Sequence, residues 1–341
     1  LLALLVLLAA GLWVGVSLLL VGLVALTLVD APAGRAMATQ IWGRITAWSL
    51  TLLPLFILMG EILFRTDIAS SLFRGLVPVF RYLPGKLLHV NIAASSLFAA
   101  VCGSSTATTA IVGRMAHTEL MGLGYDRNLV LGSVVTASTL GILIPPSIVL
   151  IVYGAAADVS VPRLFIAGIM PGVILALLFS LYIAAFSLVR PVDPGNRDRT
   201  SDWTLRDTLG ILPVLALIFA MVASIYTGLA TATEAGAVGV GSALLLAAAQ
   251  GRLTRASFVD SVLGAAKVNC MIFFILAGAA VLNISMGFNG FPRALAEEVG
   301  ALNLSRELPV MLLLVLFVIL GCFLDGLSIV VLSTSILLPM V

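Results

Sequence analysis

Two short runs of residues offer the ligands a hard monovalent cation needs. Residues 103–109 read Gly-Ser-Ser-Thr-Ala-Thr-Thr, and residues 141–147 read Gly-Ile-Leu-Ile-Pro-Pro-Ser, each within a charge-free apolar stretch. Hydroxyls and uncommitted carbonyls suit Na⁺. The Pro145-Pro146 pair removes two backbone donors and disfavours helix at the residue before it. The second stretch should therefore be a helix interrupted at membrane depth, where irregular backbone survives only if protein buries it or it lines a wet cavity. Such an interruption presents carbonyls at one half-helix end and N–H groups with a positive dipole at the other. A Ser/Thr turn facing it can hold a cation and a carboxylate side by side. Helix–helix packing uses the same small and hydroxylated residues, and for 103–109 alone that reading stays open. The Pro-Pro break further on favours a site.

Three acidic residues lie in or beside apolar runs: Glu61 after Met59-Gly60, Glu234 in Thr231-Ala232-Thr233-Glu234, and Asp325 in Leu324-Asp325-Gly326. A carboxylate at depth is costly and lines a pathway or pairs with a partner. Glu61, Thr233 and Glu234 are candidates for a pathway or a structural role. Asp325 is expected near a transport site, because Ser328, Ser333, Thr334 and Ser335 follow it. His89 and His117 are isolated. Cys102, Cys270 and Cys322 lie far apart in apolar stretches and read as small buried hydrophobes. No catalytic triad, zinc motif, phosphate loop or dinucleotide fingerprint is present, so an enzyme is not expected.

The elements that position these residues follow from composition. Of 341 residues, 61% are hydrophobic and 10% charged, with a net charge of +2. Soluble domains have about 45–50% apolar and about 25% charged residues. These numbers exclude a soluble globular enzyme, a disordered chain and a nucleic-acid binder, which would need a basic face. A spanning helix takes about 20 apolar residues, so the chain reads as an all-α polytopic membrane protein. Charge-free spans are 1–29, 45–60, 90–113, 128–157, 164–189, 209–233, 235–250, 268–292 and 308–324, the last continuing past Asp325. Residues 1–29 read as one spanning helix, and 71–89 as an amphipathic helix lying in the membrane interface. Residues 190–208, rich in Arg, Asp and Pro, read as a polar linker between halves 1–189 and 209–341. Leu83-Pro84 and Leu308-Pro309 each precede an apolar run ending in a polar turn, a loose internal repeat of the kind transporters carry.

At these residues the chain resembles the large membrane subunit of tripartite ATP-independent periplasmic (TRAP) transporters. The matching text is PLFILMGEIL (54–63), FAAVCGSSTATTAIVGRM (98–115), GYD (124–126), TLGILIPPSIVLIVYG (139–154), ATEAG (232–236) and GCFLDGLSIVVLSTSILLPM (321–340). The resemblance implies an elevator-type fold of the ion transporter superfamily, with two inverted repeats, each having a re-entrant hairpin and a broken helix. It implies a multi-pass protein of the bacterial inner membrane that works with a small four-helix membrane subunit and a periplasmic substrate-binding protein. Transport of an organic acid would be driven by a sodium gradient, with Na⁺ as coupling ion and no cofactor. A single-component sodium–dicarboxylate symporter of the same architecture is the alternative.

By the same resemblance, 90–113 is the first hairpin, with Gly103, Ser104, Ser105 and Thr106 at its tip, and 128–157 contains the broken helix. Thr139, Gly141, Ile144, Pro145, Pro146 and Ser147 complete a sodium and substrate site. The Na⁺ ligands would come from Ser104, Ser105, Thr106, Gly141 and Pro145. The second hairpin starts at 308, with Asp325 and Ser328 at its turn. The family usually has Pro where this chain has Ala232. A second Pro-Pro segment should follow the second hairpin and is not in these 341 residues, so the sequence is expected to be C-terminally incomplete and unable to transport alone.

Overall fold

The computed structural model describes residues 2–28, 34–66, 68–80, 82–190, 209–290, 294, 297, 307–322 and 324–337. Of the linker expected at 190–208, residues 191–208 lie outside them, as do 338–341 at the end of the second hairpin. The described residues are helical and contain no strand. The helices are α1 (Leu2–Ala9), α2 (Val14–Leu28), α3 (Gly34–Ile45), α4 (Leu52–Arg65), α5 (Ile68–Phe80), α6 (Leu87–Cys102), α7 (Ser105–Gly122), α8 (Arg127–Ser138), α9 (Ile148–Ala156), α10 (Val161–Val189), α11 (Leu212–Tyr226), α12 (Ala232–Ala249), α13 (Arg255–Phe288), α14 (Glu307–Gly321) and α15 (Gly326–Leu337). A 3₁₀ turn, Thr139–Ile142, follows α8 directly, and another, Trp48–Thr51, leads into α4. Among the described residues, four helical stretches are long and apolar enough to cross a membrane: Trp48–Arg65, Val161–Val189, Ala232–Ala249 and Arg255–Phe288.

The helices form two compact units. One comprises Leu1–Leu50, Ile151–Val159 and Lys267–Val341, the other Thr51–Leu150 and Ser160–Ala266. In the second, α4 packs along α12, α6 along α8, and α10 against α6 and α8. The buried face of α12 is made of small residues, Ala235, Gly236, Gly239, Ala243 and Ala247. Small side chains let helix backbones approach closely, which substitutes for the missing hydrophobic drive between helices in lipid. Phe165 of α10 is buried and meets Phe56 of α4 edge-on, with centroids 6.4 Å apart.

In the other unit, α2 crosses the later part of α13. A side chain added at Gly22 would stand 2.9 Å from the Leu282 amide nitrogen. Leu26 and Val281 form a small core there, flanked by Met37 and Ile41 of α3. Arg44 at the end of α3 donates to the carbonyls of Ala155 and Ala156 at 3.1 and 3.0 Å, satisfying orphan acceptors at the C-terminus of α9.

Three expectations change in the structure. Residues 1–29 are not one helix. Gly11 has φ +82°, and the Gly11 and Leu12 amides turn back onto Leu8 and Leu7, ending α1. The amphipathic segment at 71–89 is α5, Ile68–Phe80, followed by turns at 82–86. Its apolar residues Phe73, Leu76 and Val77 are buried, and α5 packs on α6, so that face meets protein rather than lipid head groups. Of the cysteines only Cys102 is buried. Cys270 on α13 and Cys322, just past the end of α14, are exposed.

Candidate functional site: a hairpin tip against an interrupted helix

The charge-free stretch 90–113 is not continuous helix. α6 ends at Cys102 because Gly103 adopts the left-handed conformation, φ +60°, and its amide closes on the Ala99 carbonyl at 2.7 Å. This is the usual way a glycine terminates a helix. Ser104 is extended and caps α7, its Oγ accepting from the Ala107 amide at 3.4 Å. The C-terminal carbonyls of α6 and the N-terminal amides of α7 thus meet at one tip. Ser104 Oγ and Thr106 Oγ1 lie 3.1 Å apart. Thr106 is exposed, and Ser104 and Ser105 are half-buried. Behind them, Thr108 and Thr109 return their hydroxyls to the Ser104 and Ser105 carbonyls.

The second interruption begins where α8 tightens into the 3₁₀ turn. The Leu143 and Ile144 amides both fold back onto the Leu140 carbonyl, at 3.0 and 2.8 Å. The Pro145-Pro146 peptide is cis, and helix resumes at Ile148. Ser147 is fully buried and donates to the Ile142 carbonyl at 2.9 Å. Thr139 is exposed and bonds back to Thr136. Among the described residues, the carbonyls of Leu143, Ile144, Pro145 and Pro146 receive no hydrogen bond. Pro145 and Pro146 are themselves buried. Leu143 and Ile144 are half-buried. A buried acceptor without a donor is costly and rare, and a bound cation would satisfy one that faces it.

The two interruptions touch. The Ile148 amide reaches the Gly103 carbonyl at 3.4 Å. A Cβ on Gly103 would lie 2.9 Å from the Ile148 nitrogen and 3.1 Å from the Pro146 oxygen. One on Gly141 would lie 3.2 Å from Ala99 Cβ and 3.4 Å from the Ser105 nitrogen. Glycine at these two places is what lets one broken backbone seat against the other. From behind, α10 closes the arrangement with Gly168 facing the Leu143 carbonyl and Gly172 facing Ile144. At about 1.5 Å per residue, those glycines lie roughly 10–17 Å from the start of α10, well inside a helix long and apolar enough to cross a membrane.

The remaining candidates divide differently. Asp325 and Ser328 belong to the other compact unit. Asp325 precedes α15, and its carboxylate accepts from the buried Ser328 hydroxyl. Glu61 pairs with Arg65 at 2.9 Å, and Arg65 also approaches Asp260 at 3.9 Å. Glu234 serves as a helix cap. Its carboxylate accepts from the Thr231 amide and hydroxyl at 2.7 and 2.8 Å, while Thr231 Oγ1 accepts from the Glu234 amide. This reciprocal box opens α12, and Thr233 is half-buried beside it. Thr231→Ala is expected to lower the melting temperature by a few degrees and to leave the sodium dependence of transport unchanged. Thermal unfolding and uptake assays on the same preparation check both.

Two contributors are not evident from the motifs. Gly168 and Gly172 back the interruption from a distant helix, and Arg44 holds the far end of α9. The first pair has a signal, small residues four apart in an otherwise bulky helix. Arg44 has none beyond being a cation beside an apolar run.

Residues 1–341 match the family described as the tripartite ATP-independent periplasmic transporter, DctM component. The chain is 32% identical over 324 residues to the C4-dicarboxylate TRAP transporter large permease protein of Pseudomonas aeruginosa, covering 95% of this chain and 76% of that one. It is 28% identical to the ectoine/5-hydroxyectoine large permease of Ruegeria pomeroyi, covering 92% and 73%. It is also 28% identical to the sialic acid large permease of Vibrio cholerae, covering 98% and 78%. Such permeases are transporters rather than enzymes, working in a three-part system with a small membrane subunit and a periplasmic binding protein. With its helical fold and apolar spans, the chain belongs to the large-permease (DctM) family of TRAP transporters, as a multi-pass protein of the inner membrane.

Proposed function

We infer that this chain carries an organic acid anion across the inner membrane in symport with Na⁺, taking its substrate from a periplasmic binding protein and working beside a four-helix small subunit. The observation that carries this reading is the contact of the two interruptions, with the Pro146 carbonyl, unbonded among the described residues, seated against Gly103 at the hairpin tip. The hydroxyls of Ser104 and Thr106 and the Pro146 carbonyl thus belong to two breaks that touch, a source of both hydroxyl and carbonyl oxygens for a cation. Na⁺ would be held by Ser104, Ser105, Thr106 and the backbone at Gly141 and Pro145. Gly103, Thr139, Ile144, Pro146 and Ser147 shape the surrounding wall. The α7 amides beside the cation favour a carboxylate. The relatives named for C4-dicarboxylates, ectoines and sialic acid all handle carboxylates, which supports that substrate class.

In this reading α6–α7 with the α8–α9 break form one repeat, and α14–α15, with Asp325 and Ser328 at their turn, supply the hairpin of an inverted second repeat. Movement is of the elevator type, carrying the hairpins and their substrate past the remaining helices. The test is reconstitution of the large subunit with the small subunit and the binding protein in liposomes. Uptake of a carboxylate substrate should require all three components and an inward sodium gradient. Uptake of equal rate under a proton gradient without sodium would overturn the ion assignment.

A further inference from the structure

A cleft of about 290 Å³ opens between α6, α8 and α10 at the end of these helices away from the hairpin tip. Along α8 it runs from Asn128 to Thr136, eight residues or about 12 Å deep. We propose that this cleft binds one anionic phospholipid, with an acyl chain along the α10 aromatics and the head group at the basic mouth.

Three observations carry the proposal. The first is the lining. Asn128, Gly132 and Thr136 repeat every four residues and give α8 a polar, small face towards the cleft, while Tyr182 and Phe186 of α10 give an apolar, aromatic one. An amphipathic ligand with a polar glycerol region and a hydrocarbon chain matches both walls. The second is Ser187, which lines the cleft, is only 7% exposed, and has an Oγ without a hydrogen-bond partner. Its hydroxyl packs beside Gly85, and by turning into the cleft it would donate to a lipid ester or phosphate oxygen and relieve the cost of being unsatisfied.

The third is charge. The α8 N-terminus with Arg127, the residue before α6 (Lys86) and the α10 C-terminus with Arg190 all lie at this end. The Arg190 guanidinium stands 6.0 Å from the centroid of the Phe186 ring that lines the cleft. Among the described residues, two acids near these helix ends are committed. Asp126 accepts from the Asn128 and Leu129 amides as the α8 cap, and Glu119 lies 3.9 Å from Arg74. Arg127 and Arg190 at this end favour a phosphate by their charge, while the first-turn amides of α6 and α8 are already bonded. A lipid there would brace the bases of the three helices whose other ends form or back the tip and the interruption.

The test uses the large subunit purified with its small subunit. The complex is exchanged into detergent carrying phosphatidylglycerol or phosphatidylcholine, and retained lipid is counted by native mass spectrometry. The wild type should retain phosphatidylglycerol in preference to phosphatidylcholine. Arg190→Gln should weaken phosphatidylglycerol retention about fivefold, the effect of one surface cation near anionic lipid, and leave phosphatidylcholine unchanged. Gly132→Leu should remove one phosphatidylglycerol per large subunit, because a Cβ there meets no heavy atom within 4 Å and the side chain fills the cleft. Thr136→Leu, one turn deeper, fills the same space should Gly132→Leu accumulate poorly. Equal retention of the two lipids by the wild type, or wild-type retention of phosphatidylglycerol by a cleft-filling variant, would overturn the proposal.

Discussion

Gly103→Ala is expected to reduce transport by at least about tenfold while the protein still inserts and purifies. Two costs combine at this position. A left-handed backbone conformation disfavours any residue with a Cβ by about 1–2 kcal/mol, and Gly103 has φ +60°. The new methyl would also lie 2.9 Å from the Ile148 nitrogen and 3.1 Å from the Pro146 oxygen. Both are backbone atoms of the interrupted segment, so no side chain can rotate away. Overpacking of this kind costs about 1–3 kcal/mol, and about 1.4 kcal/mol is a factor of ten. The cheapest relief is for the tip to withdraw from the break, which separates the hydroxyls from the carbonyls. Uptake in liposomes, measured beside membrane yield and melting temperature, checks this. Wild-type uptake would show that the tip need not seat against Pro146 and Ile148.

Gly168→Ala is the second large effect, and it is chiefly one on stability. A Cβ at 168 would stand 2.5 Å from the Leu143 carbonyl oxygen and 3.1 Å from Leu150 Cδ1. Either α10 shifts outward or the carbonyl rotates, and both disturb a backbone that has few hydrogen bonds to hold it. A loss of about 1–3 kcal/mol is expected, read as a fall of several degrees in melting temperature. Gly172→Ala is the informative comparison. Its Cβ would meet Ile144 Cγ1 at 2.9 Å, the flexible part of a side chain that can change rotamer. The milder outcome is expected there. Equal melting temperatures for the Gly168 variant and the wild type would mean that α10 does not define the position of the interruption.

Much of the site was legible because its causes are local. A Gly followed by serines stops one helix and caps the next within three residues, and a Pro-Pro pair breaks a helix wherever it falls. Those two breaks could be read at 103–106 and 144–147 without knowing the packing. What could not be read was set by distant partners. The 1–29 stretch is uniformly apolar, so nothing in its hydropathy marks the turn at Gly11; only the glycine's own conformation does. The α5 segment has an apolar face with Arg74 opposite, a pattern shared by a helix on a membrane and one on a protein. Only the neighbouring α6 decides between them. Glu234 looked like an acid at depth, yet Thr231 three residues earlier spells a capping box, and the structure uses it as one. Gly168 and Gly172 show as small residues four apart, but that residues 143–144 come to lie against them is something no local pattern reveals.

The central claim, that the 103–106 tip and the 139–147 break form a Na⁺ site, is tested most directly by sodium-dependent thermal stabilisation of the purified large subunit. A ligand that binds only the folded state raises its stability with concentration. At constant ionic strength, NaCl should therefore raise the melting temperature of the wild type above that in KCl or choline chloride. Ser105→Ala and Thr106→Val remove one hydroxyl each without removing a cap, and Ser104→Ala removes a hydroxyl that also caps α7. All three should need higher sodium concentrations for the same rise, and Ser104→Ala should also start from a lower melting temperature, by the cost of a lost cap, about 1 kcal/mol. A wild-type sodium response in all three variants would contradict the account and return the Ser/Thr turn to a packing role.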